Sequence, residues 1–151
     1  MISNFELKLY NGTFSDPLDC YVEILKIASD TNNNKIIKNH THFSQLKNRL
    51  CGDEIQIKLI MKENKIIDFG YQGKSCIYCQ ASVSLLSKIS INNQKNKINE
   101  LCDDANSYFN GNHKILEEKW KFFKKIFNKK NLSRKECILL PFKTLKKIVS
   151  D

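Results

Sequence analysis

The chain has 151 residues, of which 41% are hydrophobic, and it contains only five Gly and two Pro. This length and composition suit one domain with a buried core, and they exclude a low-complexity or disordered chain. No apolar run approaches the roughly 20 residues that a transmembrane helix needs. Residues 1–10 resemble neither a secretory signal nor a targeting presequence. We therefore expect a single domain over residues 1–151 that stays in the cytoplasm and makes no membrane contact.

The formal net charge is +9, but the composition argues against a nucleic-acid partner. All but two of the 25 basic residues are lysines, the exceptions being Arg49 and Arg134, whereas proteins that bind phosphates rely heavily on arginine. The densest cluster lies between Lys119 and Lys130, where we predict a solvated helix face. Nucleic-acid binding is therefore not expected, and a basic RNA-binding domain is kept only as a minor alternative.

The first elements along the chain are a helix and a short strand. Pro17, preceded by the capping residue Asp16, predicts a helix start. A polar run from residue 30 to residue 34 ends this helix. The pattern between residues 36 and 50 is poor and predicts one short strand and a loop.

A change to a period of two then predicts a β-hairpin. Apolar and polar residues alternate over residues 55–61 and again over residues 67–71, and residues 63–64 form the turn between them. Gly73 is expected to end the second strand. A helix rich in small residues is predicted to follow from Cys76.

The second half of the chain is predicted to be helical. Apolar residues at helical spacing predict one helix over residues 98–109, closed by Gly111, and another over residues 116–127. Because proline is tolerated in the first turn of a helix, Pro141 predicts that the last helix begins close behind Cys137. The order of elements predicts an α+β fold, in which about three antiparallel strands pack against several helices.

Six cysteines without a secretory signal predict reduced thiols, so metal binding or redox chemistry is favoured over a disulfide framework. Cys20 and Cys102 fall in apolar helical patterns and are interpreted as core residues. Cys79 follows Cys76 by three residues, but a zinc ribbon needs a second such pair. Cys79 is therefore interpreted as a packing residue or a peripheral thiol.

The remaining three cysteines and one carboxylate occupy positions suited to a metal ion. Cys51 and Asp53 are two residues apart on a predicted extended segment, so their side chains point the same way. Cys76 and Cys137 each lie where a loop enters a helix, where free N–H groups and the helix dipole lower the pKa of a thiol. Three thiolates and one carboxylate could bind zinc or iron, although the spacing alone equally allows three unrelated thiols.

Three sequence blocks occur in a fixed order over residues 50–151. They are Cys-Gly-Asp at residues 51–53, Gly-Lys-Ser-Cys at residues 73–76 followed by Ala-Ser-Val-Ser at residues 81–84, and a third cysteine, Cys137, at the last helix. Together these blocks resemble the U-type iron–sulfur cluster assembly scaffolds, the family of IscU, SufU and the NifU N-terminal domain. The resemblance implies the fold of that family, a small antiparallel sheet packed against helices.

The resemblance also implies a ligand set and a set of partners. The implied ligands of a transient [2Fe–2S] cluster or a Zn²⁺ ion are Cys51, Asp53, Cys76 and Cys137. A cysteine desulfurase would donate sulfur and apo iron–sulfur proteins would accept the cluster, so the protein is expected to be a scaffold rather than an enzyme, apart from a zinc-dependent sulfurtransferase activity. Cys51 is the first choice as sulfur acceptor and Cys137 the alternative. Arg134 is the candidate residue for contacting the desulfurase or tuning the site.

Several features are more similar to SufU than to IscU. The interval between Cys76 and Cys137 is long, and Arg134 lies three residues before the last cysteine. Glu136 stands before this cysteine where IscU often has His. The Leu-Pro-Pro-Val-Lys chaperone-docking motif is absent before it, so an Hsp70-type chaperone is not expected as a partner. The alternative to a scaffold is a small structural zinc module that recruits a partner.

Overall fold

The computed structural model describes residues 17–112 and 120–150, with side chains from residue 21 onward. Within these ranges it contains helices α1 (Pro17–Ala28), α2 (Ile77–Ser90), α3 (Lys95–Phe109) and α4 (Lys135–Val149), strands β1 (His42–Lys47), β2 (Glu54–Lys62) and β3 (Lys65–Lys74), and two 3₁₀ segments (Lys121–Phe123 and Lys129–Arg134). The predicted α+β class, with a three-stranded antiparallel sheet, is confirmed. None of the described helices is long and apolar enough to cross a membrane. The predicted cap Asp16 lies outside the described residues.

The sheet has β2 at its centre, paired antiparallel with β1 on one side and with β3 on the other. Its central position explains the alternation in the sequence, because Ile55, Ile57 and Leu59 are buried on one face of β2. This face shares a single hydrophobic core with the helices. Helix α4 contacts β1 and β2, helix α2 contacts β3, and the two helices pack against each other. The sheet therefore supports the two helices at whose starts Cys76 and Cys137 lie.

The predicted hairpin is present, but its second strand alternates differently from the prediction. A β-bulge between Ile60 and Met61 shifts the register, so that Met61 pairs with Ile66. As a result Ile66 is buried, whereas Ile67 is 42% exposed. Both turn residues, at 63–64, have positive φ, which matches a two-residue hairpin loop.

Gly73 lies inside β3 and does not end it, contrary to the prediction. It pairs with Ile55, and a Cβ atom at this position would overlap the carbonyl oxygen of Glu54. The absence of a side chain therefore lets the two strands approach closely at this point. The close approach brings the chain that leads to Cys76 beside the chain that follows Asp53.

The substitution Gly73→Ala is expected to lower the free energy of unfolding by about 2–4 kcal/mol, because the added methyl group overlaps main-chain atoms of the central strand. Gly111→Ala is the matched control, since a Cβ there meets nothing within 4 Å. Its positive φ alone should lower the free energy of unfolding by about 1–2 kcal/mol. Urea denaturation measures both values, and equal losses would show that the overlap at Gly73 is relieved without penalty.

Helix α3 agrees with the prediction, but the segment after it does not. Within the described part of residues 116–127, the chain forms a 3₁₀ segment and turns instead of an α-helix. The predicted apolar residues that are described there are buried: Trp120, Phe123 and Phe127. The apolar spacing thus identified core residues but gave the wrong type of backbone. Over residues 120–130 the lysine-rich stretch is accordingly not an α-helix face, and Lys125 forms an ion pair with Glu23 of α1 at 3.1 Å.

The last helix begins earlier than predicted. Helix α4 starts at Lys135, so Cys137 is its third residue and Pro141 lies in its interior. Proline has no N–H to donate to the carbonyl of Cys137 and normally disrupts a helix. Here packing outweighs that local penalty, because Leu140, Pro141 and Phe142 are all buried.

Candidate metal centre

Cys51 and Asp53 lie in a tight loop between β1 and β2, and not on the extended segment that was predicted. The N–H of Asn48 donates to the carbonyl of Asp53 at 2.7 Å, and the N–H of Gly52 donates to the carbonyl of Asn48 at 2.8 Å. Gly52 has a φ of 77°, a left-handed conformation that glycine adopts readily. The closed loop, and not strand alternation, therefore determines where the two side chains point.

The carboxylate of Asp53 is buried and only partly satisfied. The residue is 6% exposed, and its Oδ1 accepts a hydrogen bond from the main-chain N–H of Cys76 at 3.1 Å. Its Oδ2 is buried without a hydrogen-bond partner among the residues that the structure describes. A buried polar atom without a partner is destabilising by about 1–3 kcal/mol, and more if it is charged. Oδ2 is therefore well suited to bind a positive ion.

Three of the four predicted ligands converge. One ligand atom each of Cys51, Asp53 and Cys137 lies within 4.8 Å of the other two. The thiol of Cys137 donates to Sγ of Cys51, with the two sulfur atoms 3.8 Å apart. Two thiolates bound tetrahedrally to one zinc ion, at about 2.3 Å each, would lie about 3.8 Å apart. The spacing of the two thiols therefore fits a shared ion.

Cys76 lies at the edge of this group. It is the N-cap residue of α2, and it has no side-chain capping hydrogen bond. Its main-chain N–H donates to Oδ1 of Asp53, and its thiol is one of the neighbours that raise the pKa of Cys137. Its sulfur is not among the ligand atoms that lie within 4.8 Å of one another. As a fourth ligand, Cys76 would therefore have to come closer to at least one of the other three.

The environment of Cys137 opposes the thiolate form in the metal-free chain. Burial, and secondarily the neighbouring thiols of Cys76 and Cys51, raise the pKa of Cys137 well above its ordinary value. This direction is opposite to the one predicted for a thiol at a helix start, because burial disfavours the charged thiolate. A bound metal ion would reverse this balance, since coordination deprotonates a thiol.

The other described cysteines are packing residues, as predicted. Cys79 is fully buried and Cys102 is 2% exposed. Burial raises the pKa of Cys102 to about 12, and it also raises the pKa of Cys79. The side chain of Cys20 lies outside the described residues.

Arg134 lies at the start of α4, close to the site. It is the N-cap residue of the helix, and its Cζ is 5.2 Å from the centroid of the Tyr78 ring. Tyr78 follows Cys76 by two residues, so this cation–π contact joins the starts of α2 and α4. Sequence reasoning missed Tyr78, because an aromatic residue early in a helix carries no signal of a partner 56 residues away.

Comparison with known proteins identifies the class to which this fold and this set of residues belong. The family model described as the NifU-like N terminal domain matches residues 22–106. The protein therefore belongs to the NifU-like N-terminal domain family, the U-type scaffolds. The match begins well before residue 50, includes Cys51, Asp53 and Cys76, and ends before Cys137.

Individual relatives show which members of this family the chain is similar to. The chain is 35% identical to an uncharacterized protein of Borreliella burgdorferi, over 76% of this chain and 79% of that protein. It is 33% identical to the iron–sulfur cluster assembly scaffold protein IscU of Thermotoga maritima, over 66% of this chain and 70% of that protein. The fold also matches a crystal structure from Fervidobacterium islandicum AW-1, of a protein described as an iron–sulfur cluster assembly scaffold for the SUF system. The TM-score is 0.73 and the sequence identity is 25%, and the match covers 82% of this chain and 91% of that chain. Within its family the protein is SufU-like.

Proposed function

We propose that this protein is an iron–sulfur cluster assembly scaffold. Its cargo is a transient [2Fe–2S] cluster, or a zinc ion in its resting form, and the proposed ligands are Cys51, Asp53, Cys76 and Cys137. The observation that carries this proposal is the convergence of Cys51, Asp53 and Cys137, together with the buried Asp53 Oδ2 that has no hydrogen-bond partner among the described residues. Membership of the U-type family supports the same function.

The ligand chemistry suits a cargo that has to leave. Structural zinc sites are closed by four firmly held ligands, whereas here Cys51 is exposed. Thiolates bind zinc and iron tightly, while the carboxylate of Asp53 supplies a hard and more readily exchanged oxygen. These two properties favour a scaffold over the structural zinc module that the sequence left as an alternative.

Sulfur is proposed to enter at Cys51 from a cysteine desulfurase. The Cys51 thiolate attacks the outer sulfur of the donor's persulfide, the S–S bond of that persulfide breaks, and the donor cysteine leaves as a thiolate. Cys51 is exposed, whereas Cys137 is 5% exposed, which supports Cys51 over Cys137 as the acceptor. A dithiol or a ferredoxin-type protein would then supply the electrons that reduce this sulfur to sulfide.

Mass spectrometry of the protein after incubation with a cysteine desulfurase and cysteine is expected to show one added sulfur atom on Cys51. The reason is access, because Cys51 is the exposed thiol of the converging group. Cys51→Ser should prevent this labelling, and Cys102→Ser is the control that should preserve it. Labelling confined to Cys79 or Cys102 would contradict the proposed route.

The function as a whole is tested by anaerobic reconstitution with iron, sulfide and a dithiol. We expect about one cluster per chain, with visible absorption that the metal-free protein lacks, and transfer of this cluster to an apo iron–sulfur protein. Bound zinc that iron and sulfide never replace would favour the structural module instead. A salt-dependent RNA shift assay tests the minor alternative of an RNA-binding domain.

We further propose that the protein acts as a single domain in the cytoplasm.

A further inference from the structure

The small-residue segment of α2, Ala-Ser-Val-Ser at residues 81–84, carries two serine hydroxyls that contact different elements. The hydroxyl of Ser82 donates to the carbonyl of Ile138 in α4 at 2.6 Å, in a fully buried contact. The hydroxyl of Ser84 donates to the carbonyl of Asp30, just after α1, at 2.7 Å. The proposed metal chemistry uses neither hydroxyl.

The first turn of α4 depends on support from outside the helix. Its N-cap residue Arg134 makes no side-chain capping hydrogen bond. In a regular α-helix the carbonyl of residue 137 accepts from the N–H of residue 141, but Pro141 has no N–H. The turn that carries Cys137 therefore lacks two interactions that usually fix a helix start. The hydrogen bond from Ser82 reaches the residue directly after Cys137.

We propose that Ser82 is a positioning residue of the site, holding the sulfur of Cys137 at its distance from Cys51. Ser82 and Ile138 are both fully buried, so water cannot replace the hydrogen bond between them. The same helix begins at Cys76, whose N–H holds the carboxylate of Asp53. Helix α2 thus holds the Asp53 carboxylate at Cys76 and the Cys137 turn at Ser82, six residues further on. The role in cluster binding rests on the proposed function, but the placement of the two thiols does not.

The test measures how readily Cys51 and Cys137 form a disulfide in the metal-free, full-length protein. Two protein thiols react with oxidised glutathione to give one protein disulfide and two molecules of reduced glutathione. Peptide mapping at equilibrium gives the fraction of protein in which Cys51 and Cys137 are joined by a disulfide. This fraction, with the concentrations of oxidised and reduced glutathione, gives the effective concentration of one thiol at the other. This quantity reports the placement of the two sulfur atoms and does not follow the stability of the fold as such.

Ser82→Ala is expected to lower this effective concentration about fivefold, the size of effect that one buried hydrogen bond produces. Ser84→Ala is the matched control, because it removes a similar bond from the same helix without contacting α4. It should lower the melting temperature but change the effective concentration less than about twofold. An unchanged value in Ser82→Ala, or an equal fall in Ser84→Ala, would overturn the proposal.

A second pair of variants separates the loss of the hydroxyl from a change in side-chain packing. Ser82→Thr and Ser82→Val have nearly the same volume and differ in the hydroxyl, so Thr should give about fivefold more Cys51–Cys137 disulfide at equilibrium. Equal values in this pair would also overturn the proposal. Zinc affinity, measured by chelator competition, should follow the same order among all four variants. If the wild-type protein takes up neither zinc nor iron, the proposed function fails, whereas the glutathione measurement still decides the role of Ser82.

Discussion

Replacing Cys51, Cys76 or Cys137 by serine is expected to abolish tight binding of zinc and of an iron–sulfur cluster. A serine hydroxyl stays protonated near neutral pH and is a poor ligand for these metals, so each change removes one anionic donor. Losing a group that merely orients a ligand weakens metal binding about 10–100-fold, and the loss of a ligand itself should exceed that. Metal and sulfide analysis of the purified proteins, with chelator competition for the affinity, measures the effect.

Cys102→Ser is the control for this series. Cys102 is buried in α3 and is not one of the converging ligands, so its loss should affect stability and leave the metal content at about one ion or cluster per chain. The ligand assignment would be wrong if Cys102→Ser removed the metal and Cys76→Ser did not. Cys76→Ser is the most informative of the variants, because the sulfur of Cys76 lies outside the group of atoms within 4.8 Å of one another. Unchanged metal binding in Cys76→Ser would reduce the site to Cys51, Asp53 and Cys137.

Local physical rules were enough to predict most of the elements from the sequence. Alternation over residues 55–61 identified the central strand because one face of that strand is buried and the other is not. The helix after Cys76 and the helix closed by Gly111 followed from apolar spacing and turn chemistry. These features depend on neighbours within a few residues, which a sequence pattern can represent.

The failures occur where tertiary packing overrides a local preference. Pro141 is tolerated inside α4 because its surroundings are buried and packed, and no local rule contains that information. The bulge at Ile60 moves burial from Ile67 to Ile66, although the sequence alternates as if no bulge were present. The local pattern predicts a strand end at Gly73, yet this residue allows a close approach between two strands. Gly73 needs a partner distant in sequence to explain its conformation, and the bulge depends on the pairing of two whole strands.

In the candidate site, too, local sequence features could be predicted and tertiary contacts could not. The types of ligand and their order were read from the sequence, and the resemblance to the U-type scaffolds named all four. The convergence of Cys51 with Cys137 spans 86 residues, and spacing could not predict it. Strand alternation does not place Cys51 and Asp53, because the glycine loop and not an extended strand directs their side chains. The contributions of Ser82 and Tyr78 were missed because both act through contacts with α4.

Asp53→Ala is expected to lengthen the lifetime of a bound [2Fe–2S] cluster in air about tenfold and to slow its transfer to an apo-ferredoxin by a similar factor. On the proposed ligand assignment, the carboxylate is the exchangeable ligand, so the thiol of an acceptor protein, or oxygen and water, would enter the coordination sphere where it leaves. In Asp53→Ala the vacated position is expected to pass to a tighter ligand, for which Cys79, one turn after Cys76, is the candidate, while the three thiolates continue to hold the iron. Cluster absorbance over time in air, together with the rate of transfer, measures both effects.

The structure adds a competing effect that the experiment has to separate. Oδ1 of Asp53 accepts the N–H of Cys76, so Asp53→Ala also leaves the start of α2 without that hydrogen bond and could loosen Cys76. Asp53→Asn separates the two roles, because its amide oxygen can still accept the N–H of Cys76 while being neutral and a weaker ligand than a carboxylate. If ligand exchange dominates, both variants retain the cluster longer than the wild type. If Asp53→Ala loses its cluster faster than the wild type and Asp53→Asn does not, then Asp53 acts as an anchor for Cys76, and the exchangeable-ligand mechanism is wrong.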